Sequence, residues 1–302
     1  MKIYIYQGYI QAGGTYMAYH IGRVLQQYFG AEVIIVGSRP WKTMFSYPVD
    51  YPAISQKHFE ARVASDDLLI CNPSFSDQQF GLRLPCRKLS YVQNVCTFKV
   101  LDVFFDHYVF VSDWVKWYIE KYYGISGNVI PAFIHSSLFS CSDDWSARKR
   151  SIPVTKYKFD DLVLSKLRSI FSAKYPDCPL EFEKYPVMSQ KEFAKVLRKH
   201  RYYLSLAAME GFGLPMLEAM ASGCTAVGWD AGGSSEYTDH GRNCMIARYG
   251  DIETLADHLH FILTNDEEAS SLAAAGYTTG KAFDITRFDE AWKKELTTFL
   301  DR

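Results

Sequence analysis

Apolar positions recur along this chain in two alternating rhythms. Residues 2–7 carry a strand pattern, after which Met17, Ile21, Val24, Leu25 and Tyr28 fall at helical spacing until Gly30 stops the run. Residues 31–37 (AEVIIVG) are almost wholly apolar, as expected of a strand buried on both faces of a parallel sheet. Further strands are expected at 67–71, 89–93, 108–112 and 128–133, with helical patterns between them. The second half repeats this order. Strands are expected at 152–156, 180–183, 202–206, 225–229 and 244–247, and helices at 160–174, 190–200, 214–222 and 252–264. Strand and helix in alternation imply an α/β chain with doubly wound parallel sheets. The polar, aperiodic stretch 136–150 reads as a linker. The expected organisation is two Rossmann-like domains, 1–135 and 136–285, facing across a cleft. A last helical segment, 286–302, follows a complete second domain and is expected to pack back on the first.

Length agrees, since 302 residues is about two domains' worth. Charge removes one class of partner: 33 Lys and Arg against 34 Asp and Glu give no electrostatic case for nucleic acid. No apolar run is long enough to span a bilayer, and the first residues lead into a strand rather than a secretory leader. Seven scattered cysteines form no CxxC or Cys/His zinc spacing, and read as buried reduced thiols of a cytoplasmic protein. No metal site is expected.

The chemistry concentrates at 210–223, EGFGLPMLEAMASG. It follows the strand pattern YYLSLA, and so should lie at the carboxyl end of a parallel strand, where α/β sheets bind ligands. Gly211 and Gly213 let a ligand approach the backbone, and Pro215 suits the first turn of a helix. The amides of Phe212, Gly213 and Leu214 would then face a ligand with the positive helix end behind them. Glu218 follows Glu210 by eight positions, one turn inside the helix, so two carboxylates can flank one ligand. A single glutamate there would be an ordinary solvated carboxylate; the combination with the glycines, the proline and the strand is what carries chemistry. After the next strand, residues 231–236 (AGGSSE) again end in a glycine turn.

These residues resemble the donor domain of retaining nucleotide-sugar glycosyltransferases of the GT-B fold, family 4. The likeness is carried by Glu210 and Glu218 with seven residues between them, GG-x-x-E at 232–236, Arg242-Asn243, and GDIETLADHLHFIL at 250–263. It covers about 203–263, with weaker likeness at 108–133 and at the first strand with its Gly13-Gly14 loop. The resemblance implies that Glu218 holds the ribose hydroxyls and that Glu210 contacts the transferred sugar. It further implies that the amides of Phe212, Gly213 and Leu214 hold sugar and diphosphate, and that Glu236 supports its loop. It implies a nucleotide-sugar donor, a glycan or lipid-linked acceptor, no metal and no cofactor.

The chain departs from that pattern in two places. Where the family has Gly-Arg and a following Lys after the first donor-domain strand, this chain reads IPVTKYKF, so Lys156 or Lys158 must supply the cation. A lysine does so as a point charge, without the arginine fork. Arg148, Lys149 and Arg150 read as solvated linker. In the first half, Gly13 and Gly14 do not form GxGxxG, and the family's loop there faces the diphosphate. Gln93 and Asn94 stand where relatives often have His; their amides either bind acceptor or donor hydroxyls or cap the next element. The helix at 113–123 (DWVKWYIEKYY) suits either a peripheral membrane contact or core packing, the latter with Val115, Tyr118, Ile119 and Tyr122 inward. Two other functions remain open: a sugar-nucleotide or glycan-binding protein without turnover, and a nucleotide-sugar epimerase.

Overall fold

The first strand sits in the middle of its sheet, which explains why its residues do not alternate: Ile3, Tyr4 and Ile5 are all buried. The structure is a computed structural model and describes residues 1–8, 13–37, 51–141, 144–155 and 161–301. The chain divides into two units, Met1–Phe133 with Thr286–Arg302, and Ile134–Ile285.

In the first unit, β1 (Lys2–Gly8), β2 (Glu32–Gly37), β3 (Ala53–Ile54), β4 (Leu68–Cys71), β5 (Arg87–Val92), β6 (His107–Phe110) and β7 (Asn128–Val129) form one sheet. Its order is β3-β2-β1-β4-β5-β6-β7, with every pairing parallel. Helices α1 (Gly13–Phe29), α2 (Gln56–Glu60), α3 (Phe80–Arg83) and α4 (Asp113–Tyr123) fill crossovers. Ser112 caps α4 by accepting from the Val115 amide, and Gly124 ends it in the left-handed conformation.

The expected inward face of α4 is corrected. Val115 and Ile119 are buried, but Tyr122 is 59% exposed and Tyr118 only half-buried. Trp114, Tyr118 and Tyr122 meet in tilted ring contacts along one face at i, i+4 spacing, and Lys121 lies 4.8 Å over the Trp117 ring. The rings cover one another's apolar area instead of entering the core.

The second unit holds two parallel sheets. β8 (Ile152–Thr155) pairs with β9 (Phe182–Tyr185), and β10 (Tyr202–Ser205), β11 (Thr225–Trp229) and β12 (Met245–Ala247) pair in that order. Around them lie α5 (Asp161–Lys174), α6 (Gln190–Lys199), α7 (Leu214–Ala221), α8 (Ile252–Thr264) and α9 (Asp266–Lys281). The core joins Leu164, Leu167 and Phe171 of α5 to Tyr202, Leu204, Val227 and Trp229 of the sheet and Leu255, Leu259 and Ile262 of α8.

Within 144–150 Arg148 departs from the solvated-linker expectation, whereas Lys149 and Arg150 are exposed as expected. Arg148 is buried and donates to the carbonyls of Ser222 and Gly223, while Lys149 pairs with Glu183 and Arg150 with Asp266. These basic residues answer carbonyls and carboxylates of their own unit, a need that no local pattern announces. The last helix, α10 (Ile285–Leu300), seats Phe288, Trp292, Leu296 and Phe299 in the first unit. Trp292 meets Tyr91 edge-on, Phe288 packs on Phe133, and Glu295 lies 2.6 Å from His107 and accepts from Asn128.

Among the described residues no helix is long and apolar enough to cross a membrane, and no group of three or more His, Cys, Asp or Glu is disposed to hold a metal. All seven cysteines are unbridged; Cys71, Cys86, Cys224 and Cys244 are buried, whereas Cys96 is exposed.

Candidate active site

Two loops meet at the carboxyl ends of β10 and β11. The Glu210 amide donates to the Ala231 carbonyl at 2.9 Å, and the Gly233 amide donates to the Glu210 carbonyl at 2.9 Å, so the loops are laced by one extra parallel rung. The approach tolerates no side chain: a β-carbon on Gly233 would lie 2.0 Å from the Gly211 carbonyl oxygen. Gly213 then turns the chain into α7 with φ at 84°, a conformation glycine adopts without strain, and offers no side-chain cap. Met216 already donates its amide to the Gly213 carbonyl at 3.2 Å, while Leu214, the first residue of α7, lies at the positive end of the helix. Pro215 occupies the first turn, where a missing N–H costs nothing. The Tyr237 hydroxyl donates to the Gly213 carbonyl at 2.6 Å and holds this turn from the second loop.

The carboxylates occupy different depths of the same neighbourhood. Glu210 is half-buried in the loop, whereas Glu218, inside α7, is 5% exposed and accepts from Gln190 Nε2 at 2.9 Å. Two buried tyrosines feel both charges. Burial first, then the negative charges of Glu218 and Glu210, push the Tyr203 hydroxyl well above its ordinary value. Tyr237 is raised by burial and then by Glu210, with Glu218 a smaller contributor. A site with two carboxylates, glycine-lined backbone and a helix N-terminus can bind hydroxyls through the acids and an anion through the amides.

Phe212 is buried against Tyr237 and Phe283, with ring centroids 5.5 and 5.7 Å away, so its side chain is committed to packing. Leu214 is half-buried as the first residue of α7, and Glu236 is half-buried at the end of the 3₁₀ turn Gly233–Glu236. Lys156 and Lys158 lie outside the described residues. Gly13 and Gly14 open α1 in the first unit, and Gln93 Nε2 donates to the Gly14 carbonyl at 3.0 Å. Asn94 Oδ1 accepts from the amides of Val95 (2.7 Å) and Cys96 (3.1 Å), which makes it a turn cap.

Gln190 and Tyr237 were not singled out by sequence reasoning. For Gln190 a signal existed: the Ser189 and Glu192 capping box fixes the start of α6 and sets Gln190 at its first residue. Tyr237 has no local signal, because its role depends on the lacing of two loops.

Residues 184–279 match the model of the family described as glycosyl transferases group 1. An alpha-1,6-glucosyltransferase of Actinobacillus pleuropneumoniae serotype 7 is 35% identical over 102 residues, which is 34% of this chain and 27% of that protein. The chain thus matches about a quarter of that relative's length. Among solved structures, HepE of Anabaena in complex with UDP and glucose superposes with a TM-score of 0.76 at 12% identity, covering 99% of this chain and 100% of that one. Sucrose-phosphate synthase from Thermosynechococcus elongatus gives 0.72 at 13% identity, covering 100% and 99%. At these identities the likeness shows a shared fold, the α/β GT-B architecture of parallel sheets.

Proposed function

We propose that this chain, whose residues 184–279 form a glycosyl transferases group 1 domain, is a glycosyltransferase. It moves a sugar from a nucleoside-diphosphate sugar to a hydroxyl of a glycan or glycolipid acceptor, with retention, without a metal and without a further cofactor. The observation that carries this reading is the laced pair of loops, which gathers Glu210, Glu218 and the amide end of α7 in one neighbourhood.

In this mechanism Glu218, oriented by Gln190, accepts hydrogen bonds from the ribose diol, and Glu210 binds hydroxyls of the transferred sugar. The amides of Phe212, Gly213 and Leu214, with Lys156 or Lys158, stabilise the charge that grows on the departing diphosphate. The bond from the anomeric carbon to the phosphate oxygen breaks as the acceptor oxygen bonds to the same face. The acceptor proton passes to the departing phosphate oxygen, so no strong protein base is needed.

The test is transfer over a panel of UDP-, GDP- and ADP-linked sugars with glycan and lipid-linked acceptors. Turnover with a retained anomeric configuration, unchanged by chelator, is expected. Glu210→Ala should lower it about 100-fold, the scale seen when one transition-state contact is removed. Wild-type turnover in a folded Glu210→Ala chain, or an inverted product, counts against the reading.

A further inference from the structure

The crossover from β5 to β6, residues 93–106, is made without a helix. Its segment FKVLDVFF (98–105) forms a strap in which Leu101 is buried while Val100 and Phe104 are 70% and 54% exposed. The strap is pinned in place. Asp102 accepts from the amides of Gly81 (2.8 Å) and Phe104 (3.2 Å), and the Tyr108 hydroxyl donates to the Asp102 carbonyl at 2.7 Å. A β-carbon on Gly81 would lie 2.6 Å from the Phe104 β-carbon, and the next residue, Leu82, is 65% exposed. At its other end the strap meets α4, where the Phe98 and Tyr123 rings stand 6.1 Å apart. On α4, Trp117 and Tyr122 are also more than half exposed. Apolar side chains exposed singly are ordinary, but a group of them held in place by hydrogen bonds marks a surface that something else covers.

Charge narrows what that is. The carboxylates of this surface are already engaged: Asp102 by the two amides, Asp106 by the Lys88 amide at 2.7 Å and Lys88 Nζ at 3.6 Å, and Glu120 by Lys116 at 3.8 Å. Among the described residues neither Lys99 nor Lys121 pairs with a carboxylate; Lys121 lies over the Trp117 and Tyr122 rings instead. Half-exposed side chains of this number supply roughly a few hundred Å², against the ~800 Å² that each partner of a stable dimer buries. A lipid surface asks for less. Leu, Val and Phe enter the acyl boundary, Trp and Tyr sit at headgroup level, and lysines with no carboxylate partner reach lipid phosphates.

We propose that the 98–105 strap and the exposed side of α4 form a docking surface for an anionic lipid membrane, on which the first unit rests peripherally. Val100 and Phe104 supply the apolar contact, and Lys99 and Lys121 the attraction to phosphate.

The test is co-sedimentation of the full-length chain with vesicles of phosphatidylcholine alone and of phosphatidylcholine mixed equally with phosphatidylglycerol, beside sedimentation velocity of the lipid-free chain. Wild type should bind the anionic vesicles more tightly and should leave them as salt rises. Val100→Ser and Phe104→Ser should each weaken that binding about five- to tenfold. Lys99→Gln and Lys121→Gln should each weaken it about fivefold. All four side chains are exposed, so the melting temperature should stay nearly unchanged. Brominated lipid should quench tryptophan fluorescence in wild type and quench it less in Trp117→Phe. No binding to anionic vesicles, equal binding to both kinds, or wild-type binding by the four variants each overturns the membrane surface. So does a lipid-free dimer that Phe104→Ser dissolves, since a second copy would then be the cover. Binding is read without turnover, so a failure here leaves the transfer reaction to its own assay.

Discussion

At the scale of single residues, the site turns on a few polar contacts that cross between loops. The Tyr237 hydroxyl is the clearest, since it ties the second loop to the Gly213 carbonyl. Tyr237→Phe keeps the ring packing against Phe212 and removes only that bond. The expected loss is about 1 kcal/mol, seen as a fall of about 2–4 °C in the melting temperature of the second unit. An unchanged melting curve would show that the turn is held by packing alone. A second contact cluster surrounds Glu183, which accepts from the Tyr185 hydroxyl and from Lys149, His200 and Ser151. Those donors, Tyr185 first and Lys149 next, bring the carboxyl down from 4.5 to about 2. A depressed folded-state value means that the stabilisation is complete above the ordinary value and is lost as pH falls toward the depressed one. Melting temperature should therefore drop between pH 4.5 and about pH 2, and Glu183→Gln should show a shallower drop over the same interval. Parallel curves for the two chains would remove Glu183 from the account.

At the scale of elements, legibility followed hydrophobic rhythm. The strands around β1, β2, β10 and β11 were readable because continuous Ile, Val, Tyr and Leu runs have no other use in a chain of this kind. The loop at 210–213 was readable because Glu, Gly, Gly and Pro fell in the order a strand-to-helix turn requires. Helix α9 was not. Its sequence, DEEASSLAAAGYTTGK, has too few large apolar residues to show a period, because its contact face is made of Ala273, Gly276 and Gly280. Small residues let α9 approach α7 closely: a β-carbon on Gly280 would lie 2.7 Å from the Ala221 backbone. Gly280→Ala should thus destabilise the second unit by about 1–3 kcal/mol despite the better helix propensity of alanine. Chemical denaturation checks this; a stabilised variant would mean that the helices can part at no cost. The buried arginine at 148 and the outward Tyr122 were illegible for a related reason. Whether a basic residue meets carbonyls, or a ring meets another ring, is decided by elements distant in sequence.

At the scale of the whole molecule, the chain order and the core order differ. The sheet of the first unit is complete by Val129, yet its core takes Phe288, Trp292, Leu296 and Phe299 from the far end of the chain. Trp292 is fully buried against Tyr91 and Phe288, and polar links reinforce it: Arg23 pairs with Asp289, and Arg87 donates to the Phe299 carbonyl while stacking over the Phe299 ring at 4.3 Å. Contacts of such long sequence separation form only after the intervening residues have been made, so the first unit cannot acquire its full stability before the last helix exists. Trp292→Ala should cost about 3–5 kcal/mol through the cavity it leaves, and that cost should fall on one unit. Amide exchange followed by mass spectrometry is the discriminating measurement, because it reads protection segment by segment. Peptides from β1, β5 and β6 should exchange faster in the variant, while those from β10, β11 and α8 keep wild-type protection. Uniform acceleration through both units would mean that they unfold as one body and that the last helix stabilises the molecule as a whole.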